Sequence, residues 1–206
     1  ASDVYKRQNV AIAAVGFTVT SMSLPMMFFL QTARGLTPTE AALLLIPMAV
    51  LSGVLAPFAG KLLDRVDPRI ILIPGLLCVV VALVWYSTLI NMGTDIWMFL
   101  LPSALMGIGN AGMWGPLATT ATRKLPPRQA GAGAGIYNTT RTIGSVIGSA
   151  SIATFMQSRL EANLPGLADA PSGISGGGSL PPEVAEGFAA GMSQAILLPA
   201  CVMVVA

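Results

Sequence analysis

From Gly60 to Arg69 the chain reads Gly-Lys-Leu-Leu-Asp-Arg-Val-Asp-Pro-Arg, a short charged segment between two long apolar runs. Residues 41–63 before it are almost wholly apolar, and residues 70–90 after it carry no charge. Each run reaches the roughly 20 residues that a helix needs to cross a bilayer, so we expect two antiparallel membrane helices joined by this segment. Short loops rich in Lys and Arg remain in the cytoplasm, so the three cations of the segment predict a cytoplasmic location.

The overall composition predicts the same class of protein. Hydrophobic residues make up 54% of the chain and charged residues only 10%, whereas soluble domains carry about 25% charged residues. The net charge of +2 comes from basic residues dispersed among loops, which argues against a nucleic-acid-binding patch. The chain has no His, and Cys78 and Cys201 both lie inside apolar runs. We therefore expect no zinc site, no disulfide framework and no cofactor.

Along its length, the chain predicts an all-α integral membrane protein, a six-transmembrane-helix bundle. The apolar runs lie near residues 9–30, 41–63, 70–90, 96–121, 130–156 and 188–206, and a long outer loop rich in Gly, Pro and Ser is expected at 158–187. A second basic loop with Arg123, Lys124 and Arg128 falls on the cytoplasmic side by span count. The outer connections hold only Arg34 and Arg159 as cations, and this asymmetry supports the predicted orientation.

The two ends of the chain differ from the rest. Asp-Val-Tyr-Lys-Arg-Gln, at the start, resembles the translation of a sequencing-library adaptor. We interpret residues 1–8 as a non-native, adaptor-derived segment and exclude them from fold reasoning. Residues 9–206 are interpreted as one six-helix unit whose last helix is truncated, because the chain stops inside an apolar run. The chain is therefore predicted to be a fragment.

The charged segment also resembles a family motif. Gly60, Asp64, Arg65 and Arg69 follow the spacing Gly-x-x-x-Asp-Arg and then a basic residue, with departures at the two positions before Arg69. In the major facilitator superfamily this pattern marks the loop after the second helix of each six-helix half. The resemblance implies a cytoplasmic gate motif, in which Gly60 lets two helices approach closely and Asp64 accepts hydrogen bonds from a helix N-terminus or an Arg. The alternative is a solvated turn whose charges only set topology.

Two further stretches resemble the C-terminal half of fourteen-helix drug:proton antiporters, the multidrug exporters of this superfamily. The first contains Leu24-Pro25, Gln31, Gly-Leu-Thr-Pro at 35–38 and then Pro47. The second is the pattern Gly131-x-x-x-Gly135-x-x-Asn138-x-x-Arg141-x-x-Gly144-x-x-x-Gly148. The resemblance covers nearly all of residues 9–206. It implies that this six-helix bundle is the C-terminal half of a major facilitator fold.

The fifth apolar run carries the main candidates for a translocation or substrate cavity. At 100° per residue one stripe contains Asn138, Thr142, Ser145 and Ser149, with Arg141 at its edge. Arg141 lies roughly 16 Å into the span, where an Arg costs at least ~2.5 kcal/mol in lipid. We therefore expect the stripe to face protein or water, and Arg141 to face an aqueous cavity or a partner. The alternative is a structural Arg that binds helix carbonyls near the inner gate.

Three residues on other helices are further cavity candidates. Asn110, in the fourth apolar run, either faces the pore or bonds to a neighbouring helix. Gln31 either contacts substrate or caps the first helix, and Pro25 bends that helix. Residues 107–112 match the spacing Gly-x-Gly-x-x-Gly but lie within a membrane-length run. We interpret these glycines as helix-packing sites rather than a dinucleotide fingerprint.

The resemblance implies a secondary active transporter that works by alternating access between two halves. It implies proton-coupled export of drugs or amphipathic solutes through the cell inner (plasma) membrane. The implied partners are the lipid bilayer, the substrate, protons and a missing N-terminal half, which would carry the coupling acid. The sequence has no paired acids, nucleophile with a base or metal ligands, which argues against an enzyme. The alternatives are an importer of a metabolite or organic anion, with Arg141 on its carboxylate, and a non-transporting membrane assembly protein.

Overall fold

The computed structural model describes residues 2–122, 126–164 and 182–205, and the regular structure within these ranges is helical. The α-helices are α1 (Ser2–Phe28), α2 (Pro38–Leu43), α3 (Ile46–Leu63), α4 (Pro68–Leu89), α5 (Leu100–Thr122), α6 (Ala130–Asn163), α7 (Pro182–Ala195) and α8 (Leu197–Val205). A π-helical turn, Phe29–Ala33, continues α1, and short 3-10 turns precede α5 and α6. Arg123, Lys124 and most of the predicted long outer loop lie outside the described residues.

The described helices have the dimensions of a membrane bundle. Within the described ranges, the segments that are long and apolar enough to cross a membrane are Asn9–Ala33, Pro38–Leu63, Pro68–Leu89, Ile96–Thr119 and Val184–Val204. The remaining long helix, α6, has 34 residues and is less apolar because it carries the polar stripe. It packs along α1 and also contacts α5 and α7. The six-helix membrane bundle expected from the sequence is confirmed.

Helix boundaries differ from the prediction at three places. α1 begins at Ser2 rather than near Asn9, α6 continues to Asn163, and α7 begins at Pro182. The predicted outer loop 158–187 is therefore too long at both ends. Hydropathy marks where a helix leaves the bilayer, but straight-chain polar residues sustain the helix beyond that point. Proline is also well suited to the first position of a helix. The adaptor origin of the first residues stays a prediction.

Glycines hold α5 against two neighbouring helices at backbone distance. A methyl group built on Gly107 would lie 2.6 Å from the carbonyl oxygen of Met48 in α3. One built on Gly109 would lie 2.8 Å from the carbonyl oxygen of Gly75 in α4. Ordinary contacts of such a group begin near 3.4 Å, so neither position accepts a larger residue without a shift. The interpretation of these glycines as packing sites is confirmed, and their place in mid-helix excludes a phosphate-binding loop.

An aromatic pair and an Arg connect neighbouring segments at the end of the bundle that is outer in the predicted orientation. Phe29, in the π-helical turn, stacks on Phe99 with ring centroids 6.0 Å apart. Arg34 donates hydrogen bonds to the carbonyl oxygens of Met92 and Thr94 at 2.6 and 2.8 Å. These bonds join the end of the first span to the loop between α4 and α5. Arg34 is therefore a structural cation, which accounts for a cation on the predicted outer side despite the charge asymmetry.

Candidate functional site

The candidate site is built on the close pairing of α1 with α6. A methyl group built on Gly148 would lie 2.7 Å from the carbonyl oxygen of Phe17, and one built on Gly144 would overlap the backbone of Ala13. Because glycine has no side chain, the two backbones meet directly, as small residues allow in lipid. The pairing also holds the backbone of Arg141 against α1. The position of Arg141 is thus fixed by backbone packing.

Two hydrogen bonds cross this pair of helices. Ser145 Oγ donates to the carbonyl oxygen of Gly16 at 3.1 Å, and Ser21 Oγ donates to the carbonyl oxygen of Gly148 at 3.0 Å. Each satisfies a hydroxyl that would otherwise lie unpaired in an apolar surrounding. Ser145 therefore bonds helix to helix, and its predicted contact with a substrate cavity stays a prediction.

The polar stripe of α6 has different surroundings along its length. Asn138 and Thr142 are exposed, whereas Ser145 and Ser149 are half-buried. The buried residues of the outer part of α6 are spaced by four: Gly144, Gly148, Ile152 and Met156. Each residue at this spacing lies about 40° further around the helix than the one before it. The buried row is therefore separate from the polar stripe at Gly144 and lies beside it only near Met156.

The inner part of α6 presents a surface of small and polar residues. Within the described chain, Gly131, Gly135, Asn138 and Thr142 are all exposed, and no atom lies within 4 Å of a methyl group built on either glycine. The amide of Asn138 donates to the carbonyl oxygen of Ala134 in its own helix at 3.1 Å. We call these four residues the exposed α6 face. Such a face suits a protein neighbour or water better than lipid.

Arg141 extends from α6 toward α5. Its guanidinium carbon lies 5.5 Å from the centroid of the Trp114 ring, within the range of a cation–π interaction. The side chain is half-buried. Among contacts between described residues, the guanidinium makes no hydrogen bond to a helix carbonyl and no ion pair with a carboxylate. The Trp114 ring is therefore one described neighbour of this charge, and the Tyr137 hydroxyl is close enough to interact with it electrostatically.

Asn110 joins the same region from α5. It lies one helical turn before Trp114, so the two side chains share the helix face that Arg141 approaches. The Asn110 side chain is half-buried and makes no hydrogen bond with another residue of the described ranges. We call Asn110, Trp114 and Arg141 the Arg141 cluster. It combines a cation whose backbone is packed against α1, an aromatic ring in contact with that cation, and an amide one helical turn from the ring on α5.

Pro25 and Gln31 lie apart from the Arg141 cluster. Gly16 is at the level of Arg141 on α1, and at 1.5 Å per residue Pro25 and Gln31 lie about 14 and 22 Å further along the helix. Pro25 is buried. Gln31 is half-buried and donates to the sulfur of Met27 at 3.7 Å. The structure does not bring these two residues together with Arg141.

The predicted gate motif lies on the surface of the described chain. Gly60, Asp64, Arg65 and Arg69 are all exposed. No described atom lies within 4 Å of a methyl group built on Gly60. The expected close approach of a second helix at this glycine is therefore absent from the described part of the chain.

A different aspartate caps α4. Oδ1 of Asp67 accepts a hydrogen bond from the backbone N–H of Arg69 at 2.9 Å. Asp67 immediately precedes Pro68, the first residue of α4, and so occupies the N-cap position. Asp64 ends α3 instead. The α4 cap is therefore Asp67, and the expected hydrogen bond to Asp64 from a helix N-terminus or an Arg stays a prediction.

Comparison with known proteins agrees with this architecture. The sequence profile of the Major Facilitator Superfamily matches residues 2–149. The chain belongs to the major facilitator superfamily. It is 44% identical over 202 residues to the MFS-type transporter Rv1250 of Mycobacterium tuberculosis, covering 96% of this chain and 35% of that protein.

Other major facilitator relatives carry names that describe drug resistance. The lincomycin resistance protein LmrB of Listeria monocytogenes is 34% identical over 137 residues, which cover 66% of this chain and 28% of that protein. The multidrug resistance protein Stp of Mycobacterium tuberculosis is 30% identical over 160 residues, which cover 78% and 29%. The chain spans about a third of the length of the curated relatives it matches.

Membership of the major facilitator superfamily defines the class of protein. The chain is a multi-pass membrane protein of a transporter family rather than an enzyme. Residues 2–149 contain the Arg141 cluster, the exposed α6 face and the gate motif. Within the described ranges, no group of three or more His, Cys, Asp or Glu residues is arranged to hold a metal ion, and both cysteines are free thiols.

Trp114, whose ring contacts Arg141 in this major facilitator bundle, was not among the candidates from the sequence. One signal was present, because Trp114 lies one helical turn from the candidate Asn110. Nothing in the spacing relates position 114 to position 141, since the two lie on different helices. The contact depends on how α5 and α6 cross.

Proposed function

We propose that this chain is part of a proton-coupled exporter of drugs or other amphipathic solutes in the cell inner (plasma) membrane. Transport would occur by alternating access between this six-helix bundle and the remainder of the complete protein. The observation that carries the proposal is the Arg141 cluster, a cation on an aromatic face in mid-bundle. The names of LmrB and Stp support drugs as the substrate class.

The placement of the Arg141 charge favours a functional role. A cation at this depth costs at least ~2.5 kcal/mol in lipid, and the Trp114 face returns only about 0.5–2 kcal/mol. The charge has no carboxylate partner in the described ranges. A water-filled cavity lined by the cluster in the complete protein would account for the remainder, because water solvates the guanidinium. The Trp114 ring and the Asn110 amide would then give an amphipathic solute both an apolar and a polar contact.

The exposed α6 face supports a pathway formed with a second half. Its glycines and its Asn138 and Thr142 side chains would be poorly matched to lipid but suit another helix or water. We infer that the remainder of the complete protein lies against this face. The translocation pathway would then run between the two halves, next to the Arg141 cluster.

Proton coupling requires an acid elsewhere in the complete protein. In the described spans, the carboxylates lie near helix ends, and Glu40 is held in a capping box by the Thr37 backbone and hydroxyl. The Glu40 carboxylate is therefore occupied in capping the start of α2. We therefore assign the proton carrier to the part of the complete protein that pairs with this bundle.

The test is export by the complete gene product after Arg141→Ala. In cells that lack their own drug exporters, we expect ethidium efflux to fall to the background rate, while membrane insertion stays unchanged. Arg128→Ala, which removes an exposed loop cation, is the matched control and should retain efflux. Dissipating the proton gradient should stop efflux by the unmodified protein. Normal efflux by Arg141→Ala would remove Arg141 from the pathway.

A second candidate function is import of an organic anion. The observation that favours it is the absence of a carboxylate partner for Arg141 in the described ranges, which leaves the guanidinium able to bind a substrate carboxylate. Uptake of radiolabelled carboxylates into cells producing the complete protein distinguishes the two functions. Arg141-dependent uptake without ethidium efflux would establish import and exclude the exporter.

A further inference from the structure

An apolar groove opens between α3 and α4 in their cytoplasmic halves. Its volume is about 310 Å³, and its lining includes Phe58, Leu62, Ile70, Cys78 and Ile108. Both helices pack mainly on α5 and hardly touch each other, which leaves the gap between them. Phe58 and Ile70 are 63% and 65% exposed. The groove therefore presents an apolar surface to whatever lies beside the bundle.

Glycine packing forms the floor of the groove. Gly75 of α4 and Gly112 of α5 both line it. A methyl group built on Gly75 would lie 3.0 Å from the backbone of Gly112. Because α4 and α5 meet here without intervening side chains, the space above them is left empty rather than filled by a packed core.

The cytoplasmic end of the groove is basic. The lining residues Leu62 and Ile70 flank the loop between α3 and α4. This loop region carries three exposed cations, Lys61, Arg65 and Arg69. Among the described residues, none of these cations forms an ion pair, and one of the two loop carboxylates, Asp67, is occupied in capping α4. The apolar groove thus ends beside three cations that form no ion pair with a described residue.

We propose that this groove binds one acyl chain of an anionic phospholipid of the cytoplasmic leaflet, with the headgroup phosphate at Lys61, Arg65 and Arg69. The volume holds roughly ten groups the size of water or methylene at about 30 Å³ each, which corresponds to a substantial part of one acyl chain. Basic residues beside membrane helices on the cytoplasmic side attract anionic headgroups. A soluble anion would use the cations but not the apolar lining, so the pairing of both features identifies a lipid.

Crosslinking with photoactivatable lipids tests the proposal on the complete gene product. The protein is reconstituted in vesicles of phosphatidylcholine and phosphatidylglycerol in equal parts, with a trace of either lipid carrying a photoreactive group in its acyl chain. Mass spectrometry then identifies crosslinked residues. We expect the phosphatidylglycerol probe to label groove residues such as Phe58 and Ile108 at least fivefold more than the phosphatidylcholine probe, the preference expected for one cation at the headgroup.

Variants separate the headgroup contact from the apolar contact. The triple variant K61Q/R65Q/R69Q should label equally with the two probes, whereas R65K/R69K should keep the preference and R128Q, in the other basic loop, should not alter it. Ala59→Trp fills the groove from α3 and should reduce labelling by both probes. Ala56→Trp, exposed on the same helix and outside the lining, is its control.

Two results would overturn the proposal. Equal labelling of the unmodified protein by both probes would mean that the groove contacts bulk lipid without recognising the headgroup. Absence of labelled groove residues with either probe would mean that another part of the complete protein covers the groove.

Discussion

Replacement of Gly148 by Ala is expected to destabilise the bundle by separating α1 from α6. The added methyl group would lie 2.7 Å from the carbonyl oxygen of Phe17 and 2.9 Å from the Oγ of Ser21. Ordinary contact begins near 3.4 Å, so the helices must separate locally by about 0.7 Å, the difference between 3.4 and 2.7 Å. Phe17 contributes backbone at this point, so rotation of a side chain cannot relieve the overlap.

The magnitude follows from two destabilising effects and one stabilising effect. Overpacking of this kind costs about 1–3 kcal/mol. The separation also weakens the Ser21 and Ser145 hydrogen bonds across the pair, and such bonds contribute on average about 0.6 kcal/mol each in membrane proteins. Ala recovers at most about 1 kcal/mol through its higher helix propensity. The expected net loss in the free energy of unfolding is about 1–3 kcal/mol.

Unfolding in mixed micelles, by titration with a denaturing detergent and followed by Trp fluorescence, measures this loss. Gly53→Ala is the matched control, because Gly53 lies in the middle of α3 with no described atom within 4 Å of the added group. It should be neutral or stabilising by up to about 1 kcal/mol. If Gly148→Ala and Gly53→Ala gave the same change, the close backbone contact of α1 with α6 would be refuted.

Three further changes have defined outcomes. Trp114→Leu removes the aromatic ring over Arg141, whereas Trp114→Phe keeps one. The Leu variant should therefore slow ethidium efflux more than the Phe variant, since a cation–π contact contributes about 0.5–2 kcal/mol. Equal efflux rates of the two variants would argue against the contact. Arg34→Gln should lower the melting temperature by removing two charge-assisted hydrogen bonds worth about 1.5–3 kcal/mol each. Arg34→Lys should not restore the melting temperature, because Lys lacks the planar fork of donors that Arg has. An unchanged melting curve for Arg34→Gln would contradict the structural role of Arg34. Thr37→Ala should cost about 1 kcal/mol in detergent unfolding by removing the α2 cap, whereas Thr39→Ala should be neutral.

The membrane spans were predictable because a helix that crosses lipid must be built from a long run of apolar residues, and such a run is visible in the sequence. A span must be long and apolar with its backbone bonds satisfied internally, so residues 70–90 predicted α4 to within two residues at either end. The outer end of α6 was not predictable in this way. Beyond the bilayer a helix no longer needs apolar residues, and the polar sequence that follows residue 156 continues it to Asn163.

The surroundings of individual side chains were less predictable than the spans. Helical periodicity correctly put Asn138 and Ser145 on one side of α6, but only Ser145 meets α1. The difference arises because the buried row of α6 winds around the helix, and its course depends on the crossing angle. The Arg141 contact with Trp114 has the same origin. Helical periodicity and the cost of a charge in lipid supplied the candidate residues, whereas the contacts of those residues depend on the packing of three helices.

The pairing of α1 with distant helices also has a consequence for biosynthesis. Gly16 and Ser145 are 129 positions apart, and Thr18 bonds to the carbonyl oxygen of Pro199, 181 positions away. At 5–20 residues per second, α1 waits roughly 6 to 26 seconds for α6 to be synthesised, and longer for α8. During that interval the hydroxyls of Thr18 and Ser21 lack their final partners. Among the described helices, α1 is therefore synthesised before the others but is among the last to gain its partners, and it depends on the insertion machinery for longer than any helix that pairs with its immediate successor.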